Sequence, residues 1–167
     1  MEELQVAGFL DNSLVNGQGL RSVLFVSGCH HNCKGCHNKA MQDFSYGEKV
    51  NIEEIFFRIK RNIPIIRGVT FSGGEPFEQA GALWKLAELV KEEGLNIWCY
   101  TGYTFEYILN NINNEGWKEL INTIDVLVDG RFEEDNVIKD LKYMGSSNQR
   151  TIDVKESLKN NKVIIYS

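Results

Sequence analysis

Long apolar runs are missing from this 167-residue chain. Nothing approaches the roughly 18 consecutive apolar residues of a membrane-spanning helix. The opening Met1-Glu-Glu-Leu-Gln5 has no basic region leading into an apolar one, so no secretory signal is expected. A basic stripe is missing too. The formal charge is −5 with both signs interspersed, which argues against direct nucleic-acid binding. The pair Lys60-Arg61 reads as ordinary solvated surface. Low-complexity linkers and internal repeats are absent, and the glycine-rich turn near residue 74 lacks the Gly-Lys-Ser/Thr that a phosphate loop needs. The expected compartment is the cytosol, where thiols stay reduced and clustered cysteines bind metal or react.

Cysteine is scarce, at four residues, but three stand together in Cys29-His-His-Asn-Cys33-Lys-Gly-Cys36. The fourth, Cys99, is distant and lies in a strand-like run, where an inert buried thiol is the expectation. Thiolates are soft ligands suited to iron-sulfur clusters, zinc or copper(I). Short spacers place all three sulfurs on one tight curve, with Gly28 and Gly35 giving the backbone room to bend around a bulky centre. Three thiolates can hold three corners of a [4Fe-4S] cube and leave one iron open. A Cys3His zinc site using His37 is the alternative, and unmetallated thiols a third. Structural zinc sites usually present separated ligand pairs, which this cluster does not. The remaining sequence excludes a second all-cysteine cluster.

Composition fits one domain over residues 1–167, with 43% apolar and 25% charged residues. Six β-prone runs recur: 4–9, 23–26, 68–71, 96–100, 124–128 and 162–166. Helical periodicity lies between several of them. Asn51-Ile-Glu-Glu54 has capping-box spacing before Ile52, Ile55, Phe56 and Ile59. Leu83, Leu86, Ala87 and Val90 make a second stripe that ends near Gly94. Shorter helices are expected over 105–112 and 117–121, separated by an Asn-rich break. Alternation of strand and helix predicts an α/β fold with mainly parallel strands and a site at the strand C-termini. A full eight-unit barrel takes about 250 residues, so a partial (β/α) barrel fits this length better. Its open side would suit a macromolecular substrate.

Val69-Thr-Phe-Ser-Gly-Gly-Glu-Pro76 is the second informative segment. Gly73 and Gly74 permit a tight turn and close ligand approach, and Glu75 with nearby backbone groups could pair with a ligand ammonium. As a plain strand-to-helix turn it would need only Pro76 at the helix start. Thr101-Gly-Tyr103 follows the next strand and could line a cofactor pocket, although a tyrosine packs equally well there. Asp129 falls at the C-terminal end of a further strand and is the better candidate than Asp125, at the opposite end. Gly145-Ser-Ser-Asn-Gln-Arg150 reads as a polar surface loop.

The cysteine triplet together with Gly73-Gly74-Glu75 resembles the radical S-adenosylmethionine superfamily. The fuller pattern is similar to the anaerobic ribonucleoside-triphosphate reductase-activating proteins, a family of glycyl-radical activases. It includes Val15-Asn-Gly-Gln-Gly19 with Arg21, Leu24 to Cys29, Gly35-Cys-His-Asn38, Thr70 to Pro76, Thr101-Gly-Tyr103, Val126 to Gly130 and Gly145 to Gln149. Two departures stand out. Gly35 precedes the third cysteine where the superfamily often has an aromatic residue, and Gln18 stands where the family often has proline.

The resemblance implies one [4Fe-4S] cluster on Cys29, Cys33 and Cys36, with S-adenosylmethionine chelating the fourth iron. Gly73, Gly74 and Glu75 would orient its methionine ammonium. Thr101, Tyr103, Asp129, Ser147 and Asn148 would make secondary contacts with the cofactor or a partner. The implied reaction cleaves S-adenosylmethionine reductively and takes a hydrogen atom from a glycine of the large subunit of the anaerobic reductase. No protein general base is expected. The electron would come from an external donor of the flavodoxin kind.

Overall fold

Asn51 fixes the start of the first helix in the computed structural model, which describes residues 2–167. Its Oδ1 accepts the Glu54 N–H at 3.0 Å, capping α1 (Ile52–Lys60). Glu53 and Glu54 sit in the first turn and Arg58 and Lys60 in the last, matching the helix dipole at both ends. Ile52, Ile55 and Ile59 turn inward. In α2 (Ala80–Glu92), Leu83, Leu86, Ala87 and Val90 do the same. That helix stops where Gly94 takes φ +79°, the left-handed conformation that glycine adopts without penalty. The remaining helices are α3 (Phe105–Asn110), α4 (Trp117–Thr123) and α5 (Val154–Asn160).

Seven strands form one sheet: β1 (Glu3–Ser13), β2 (Arg21–Val26), β3 (Glu48–Asn51), β4 (Gly68–Gly73), β5 (Asn96–Tyr100), β6 (Val126–Asp129) and β7 (Arg150–Asp153). Their order is β3-β1-β2-β4-β5-β6-β7. The central block β2-β4-β5-β6 is parallel. The flanking pairs β1–β2, β1–β3 and β6–β7 are antiparallel. The mainly parallel sheet expected from sequence is therefore a mixed one, parallel only where helical crossovers connect the strands. Among the described residues no pairing joins β3 to β7, so the sheet stays open.

Strand periodicity divides the interior into two faces. Leu24, Val26, Val69, Phe71, Ile97, Cys99 and Leu127 join the helices in the larger apolar cluster. Trp98, Val126 and Val128 point the other way and pack against Tyr100, Tyr143, Met144 and Tyr166. The expected strand over 162–166 is reduced to one bridge, Ile165 to Ile152, beside β7. Two strands and a helix had no sequence expectation: β3, β7 and α5. No helix among the described residues is long and apolar enough to cross a membrane.

Candidate metal and cofactor site

The loops that follow the four parallel strands meet at one end of the sheet. After β2 comes the cysteine loop, after β4 the Gly-Gly turn, after β5 the Thr101 loop, and after β6 Gly130. Ligand sites of open α/β sheets form at this end. Here a cavity of about 600 Å³ is walled by Cys29, Cys33, Cys36, Ser72, Gly73, Gly74, Tyr100, Thr101 and Gly130, among others.

Backbone bonds sew the first two loops together. Gly74 N–H donates to Val26 O at 3.0 Å and Glu75 N–H to Gly28 O at 2.7 Å. Gly28 and Cys29 donate in turn to the carbonyls of Met41 and Gln42. The Asn38 amide reaches across to Gly73 O at 3.0 Å. Gly73 has φ +123°, and a Cβ there would lie 2.1 Å from Val26 O. A Cβ on Gly74 would lie 2.7 Å from Gly28 O. Both glycines are required by this close approach, whatever the cavity binds.

The three thiols are half-buried on the cavity wall. Burial pushes the Cys29 thiol up to about 11 and raises Cys33 above its ordinary value. Without metal Cys29 and Cys33 are protonated at neutral pH, and ligation would release their protons. Among the described residues no three His, Cys, Asp or Glu side chains close on a point that would hold a single ion. The thiols are thus spread along the wall rather than closed around one ion, with or without His37. Three soft donors on one wall of a roomy cavity fit a bulky cluster with a small ligand next to it. Cys99 is fully buried, and its neighbour Tyr100 faces the cavity in its place. Its thiol is raised well above the ordinary value by burial.

The other residues singled out from sequence divide. Gly73, Gly74 and Thr101 line the cavity, whereas Glu75, Tyr103, Asp129, Ser147 and Asn148 do not. Glu75 is completely buried behind the wall. Tyr103, Asp129 and Asn148 meet in a neighbouring cleft with Glu106, Arg131 and Arg150. The Tyr103 hydroxyl donates to Glu78; burial first and that carboxylate second raise the phenol's pKa. Asp129 is bound on both oxygens by Arg150, and its Oδ2 also accepts the Phe105 N–H at 2.8 Å, the first amide of α3, whose N-cap is Thr104. Ser147 and Asn148 are exposed, with Asn148 donating to Arg131 O at 2.8 Å. Their segment is closed by Gln149. Its Oε1 accepts from Gly145 and Ser146, and its amide donates to Gly130 O. Sequence reading missed Ser72 and Tyr100. Both are signalled by the period of two, since each stands one place from an apolar residue that faces the helices.

Residues 15–152 match a family model described as a 4Fe-4S single cluster domain. Curated relatives extend over most of the chain. The anaerobic ribonucleoside-triphosphate reductase-activating protein of Vibrio cholerae is 38% identical over 143 residues, spanning 81% of this chain and 89% of its own. The Escherichia coli K12 protein of the same name is 36% identical, with 81% and 90% covered. That of phage T4 is 34% identical, with 81% and 85% covered. The chain belongs to the anaerobic ribonucleoside-triphosphate reductase-activating protein family. This activating-protein fold also resembles the crystal structure of QueE from Escherichia coli, at a TM-score of 0.51 and 18% identity. That match covers 61% of this chain and 53% of QueE, and at this identity it bears on the fold alone.

Proposed function

We propose that this chain activates an anaerobic ribonucleoside-triphosphate reductase by cleaving S-adenosylmethionine reductively and abstracting hydrogen from a glycine of the reductase large subunit. The observation that carries the reading is the shared wall: Cys29, Cys33 and Cys36 face one cavity with Gly73 and Gly74, and Cys99 faces away from it. Three thiols with no fourth on that wall leave a coordination place for a small ligand. Family membership supplies the partner class, since the relatives are named for the reductase they activate.

In this reading Cys29, Cys33 and Cys36 hold a [4Fe-4S] cluster. When bound, the cluster and S-adenosylmethionine together supply one-electron cleavage of the sulfonium and the hydrogen-abstracting chemistry. The chain's own part is to bind, orient and exclude. The Gly73-Gly74 backbone and the Ser72 side chain would face the ligand's amino-acid end, while the Thr101 hydroxyl is taken up by Glu75 behind the wall. Tyr103 and Asn148 serve at the adjoining cleft and Ser147 on its loop, where partner contact suits their positions better than cofactor contact, while Asp129, 1% exposed and held by Arg150, would brace that cleft. We read residues 1–167 as one domain, an opened relative of the (β/α) barrel, working in the cytosol with an external flavodoxin-like electron donor.

Anaerobic EPR of the reconstituted, reduced protein tests this directly. Added S-adenosylmethionine should change the cluster signal, and added reductase should then yield a glycine-centred doublet. One zinc per chain without labile sulfide would overturn the cluster. A cofactor-responsive signal with no doublet would reassign the substrate.

A further inference from the structure

Glu75 stands where sequence reading expects a ligand contact, yet every bond it makes is to the protein. The residue is 0% exposed. Its Oε1 accepts from His31 Nε2 and from the Gly102 N–H, both at 2.7 Å. Its Oε2 accepts from the Thr101 hydroxyl at 2.8 Å and the Phe77 N–H at 3.0 Å. Four donors fill the four good acceptor directions of a carboxylate. An ammonium arriving from the cavity would have to displace one of them, and Glu75 is not on the cavity wall.

His31 lies between Cys29 and Cys33, and its side chain is only 4% exposed. The oxygen it faces already receives an amide N–H, so Nε2 is the donor in this pair. The ring packs edge-on to Tyr103 at 4.5 Å. It also fills the space beside Gly102, where a Cβ would come within 2.5 Å of it. One carboxylate thus ties three loops together: the cysteine loop through His31, the Gly-Gly turn through its own backbone and Phe77, and the β5 loop through Thr101 and Gly102.

We infer that His31 and Glu75 form a positioning pair that sets the cysteine loop against the Gly73-Gly74 turn, and that Glu75 acts on the bound ligand through this scaffold without touching it. The inference rests on the proposed-function reading only for the identity of the ligand; the coupling of the two side chains belongs to the protein itself.

The test uses His31→Ala, Glu75→Gln, their double variant and His31→Gln. Denaturant unfolding of the metal-free protein comes first. Both single variants should lower the midpoint, and the double should be little worse than the harsher single, because the two remove one shared bond. After reconstitution, both singles should raise the S-adenosylmethionine dissociation constant by about tenfold, the loss expected of one charge-assisted hydrogen bond. They should also alter the reduced-cluster EPR signal in the same way. His31→Gln, whose amide can donate to the same oxygen, should recover part of both effects. Should the alanine variant fail to fold, Thr101→Val removes a single donor to Oε2 and should weaken binding in the same direction. The inference is overturned if Glu75→Gln weakens binding while metal-free stability is unchanged and His31→Ala binds normally. Additive losses in the metal-free double variant would overturn it as well. Failure of the wild-type protein to bind S-adenosylmethionine would sink the proposed function, while the metal-free cycle would still decide the pairing.

Discussion

Each end of the parallel strands holds a charged side chain with no exposed surface, Arg21 at one and Glu75 at the other, and the two are satisfied in opposite ways. At the N-terminal end, Arg21 is fully buried with no carboxylate in contact among the described residues. Its Nε donates to Thr70 Oγ1 at 2.7 Å, and its Nη atoms reach the carbonyls of Gln18, Val69 and Asn96 at 2.9, 3.0 and 3.3 Å. The guanidinium carbon lies 5.5 Å from the centre of the Trp98 ring. Burial lowers its pKa to about 10, which leaves it cationic at neutral pH. At the C-terminal end, Glu75 is held by an imidazole, a hydroxyl and two amide N–H groups. Arg21 consumes the backbone acceptors around it and closes its end of the sheet. Glu75 organises loops whose thiols and bare backbone are left facing open space. Stability chemistry and site chemistry are thus separated along the strand axis by about six residues of β4.

Removing a thiol should break the open end with the largest effect. Cys33→Ala takes one of three cluster ligands, so anaerobic iron and sulfide analysis should show no stable cluster. Because Cys33 is only half-buried, the metal-free protein should unfold within about 0.5 kcal/mol of wild type. A marked loss of metal-free stability would show that the open end also carries the fold.

Arg21→Met probes the sealed end. It strips the buried Thr70 Oγ1 and Val69 carbonyl of their charged donor, along with the carbonyls of Gln18 and Asn96, two exposed residues that water can serve. Leaving the two buried partners without that donor costs on the order of 3 kcal/mol together, readable as a shift of the urea midpoint. The effect also reaches the cavity mouth, because Thr70 Oγ1 donates to Asn16 O at 2.6 Å and Asn16 and Val15 line the cavity. Cluster assembly should nevertheless persist below the lowered melting temperature. Loss of the cluster with unchanged stability would move Arg21 into the site.

Asp125→Ala, also at the sealed end, should cost less. Asp125 accepts the Ile97 N–H at 2.8 Å and pairs with Lys91 at 2.6 Å, the lysine being 30% exposed. The exposed part of that pair contributes little, so the orphaned amide sets the cost at about 1–2 kcal/mol. Cofactor response in EPR should be that of wild type.

The sequence made the strand ends legible where one residue type has one good explanation. The capping spacing at Asn51, the stop at Gly94 and the apolar stripes of α1 and α2 are all local, and all stand in the structure. So does the meeting of the cysteine loop with Gly73 and Gly74, because both follow strands that pair in parallel. What escaped depends on partners far along the chain. β3 has two residues on each side of the half-buried boundary, and it is a strand only because β1 offers it an edge. β7 begins at Arg150, whose role is set by Asp129 and Glu106 rather than by its neighbours. Glu75 is the clearest case. Its position after two glycines suggests a ligand, whereas its bonds to His31 and Thr101 come from loops 44 and 26 residues away.

Cys99→Ala gives the smallest effect and the sharpest control. The residue sits within β5, three positions from the sealed start at Asn96 and beside the open end, but on the helix-covered face. Its thiol donates to the neighbouring Tyr100 carbonyl at 3.7 Å and is otherwise enclosed by the apolar cluster. Truncation removes one buried sulfur from a close-packed face, for a loss of about 1 kcal/mol in urea unfolding. Iron content and the response to S-adenosylmethionine should stay at wild-type levels. Selective loss of the cluster in this variant would mean that face, and not strand end, fails to separate the site from the core.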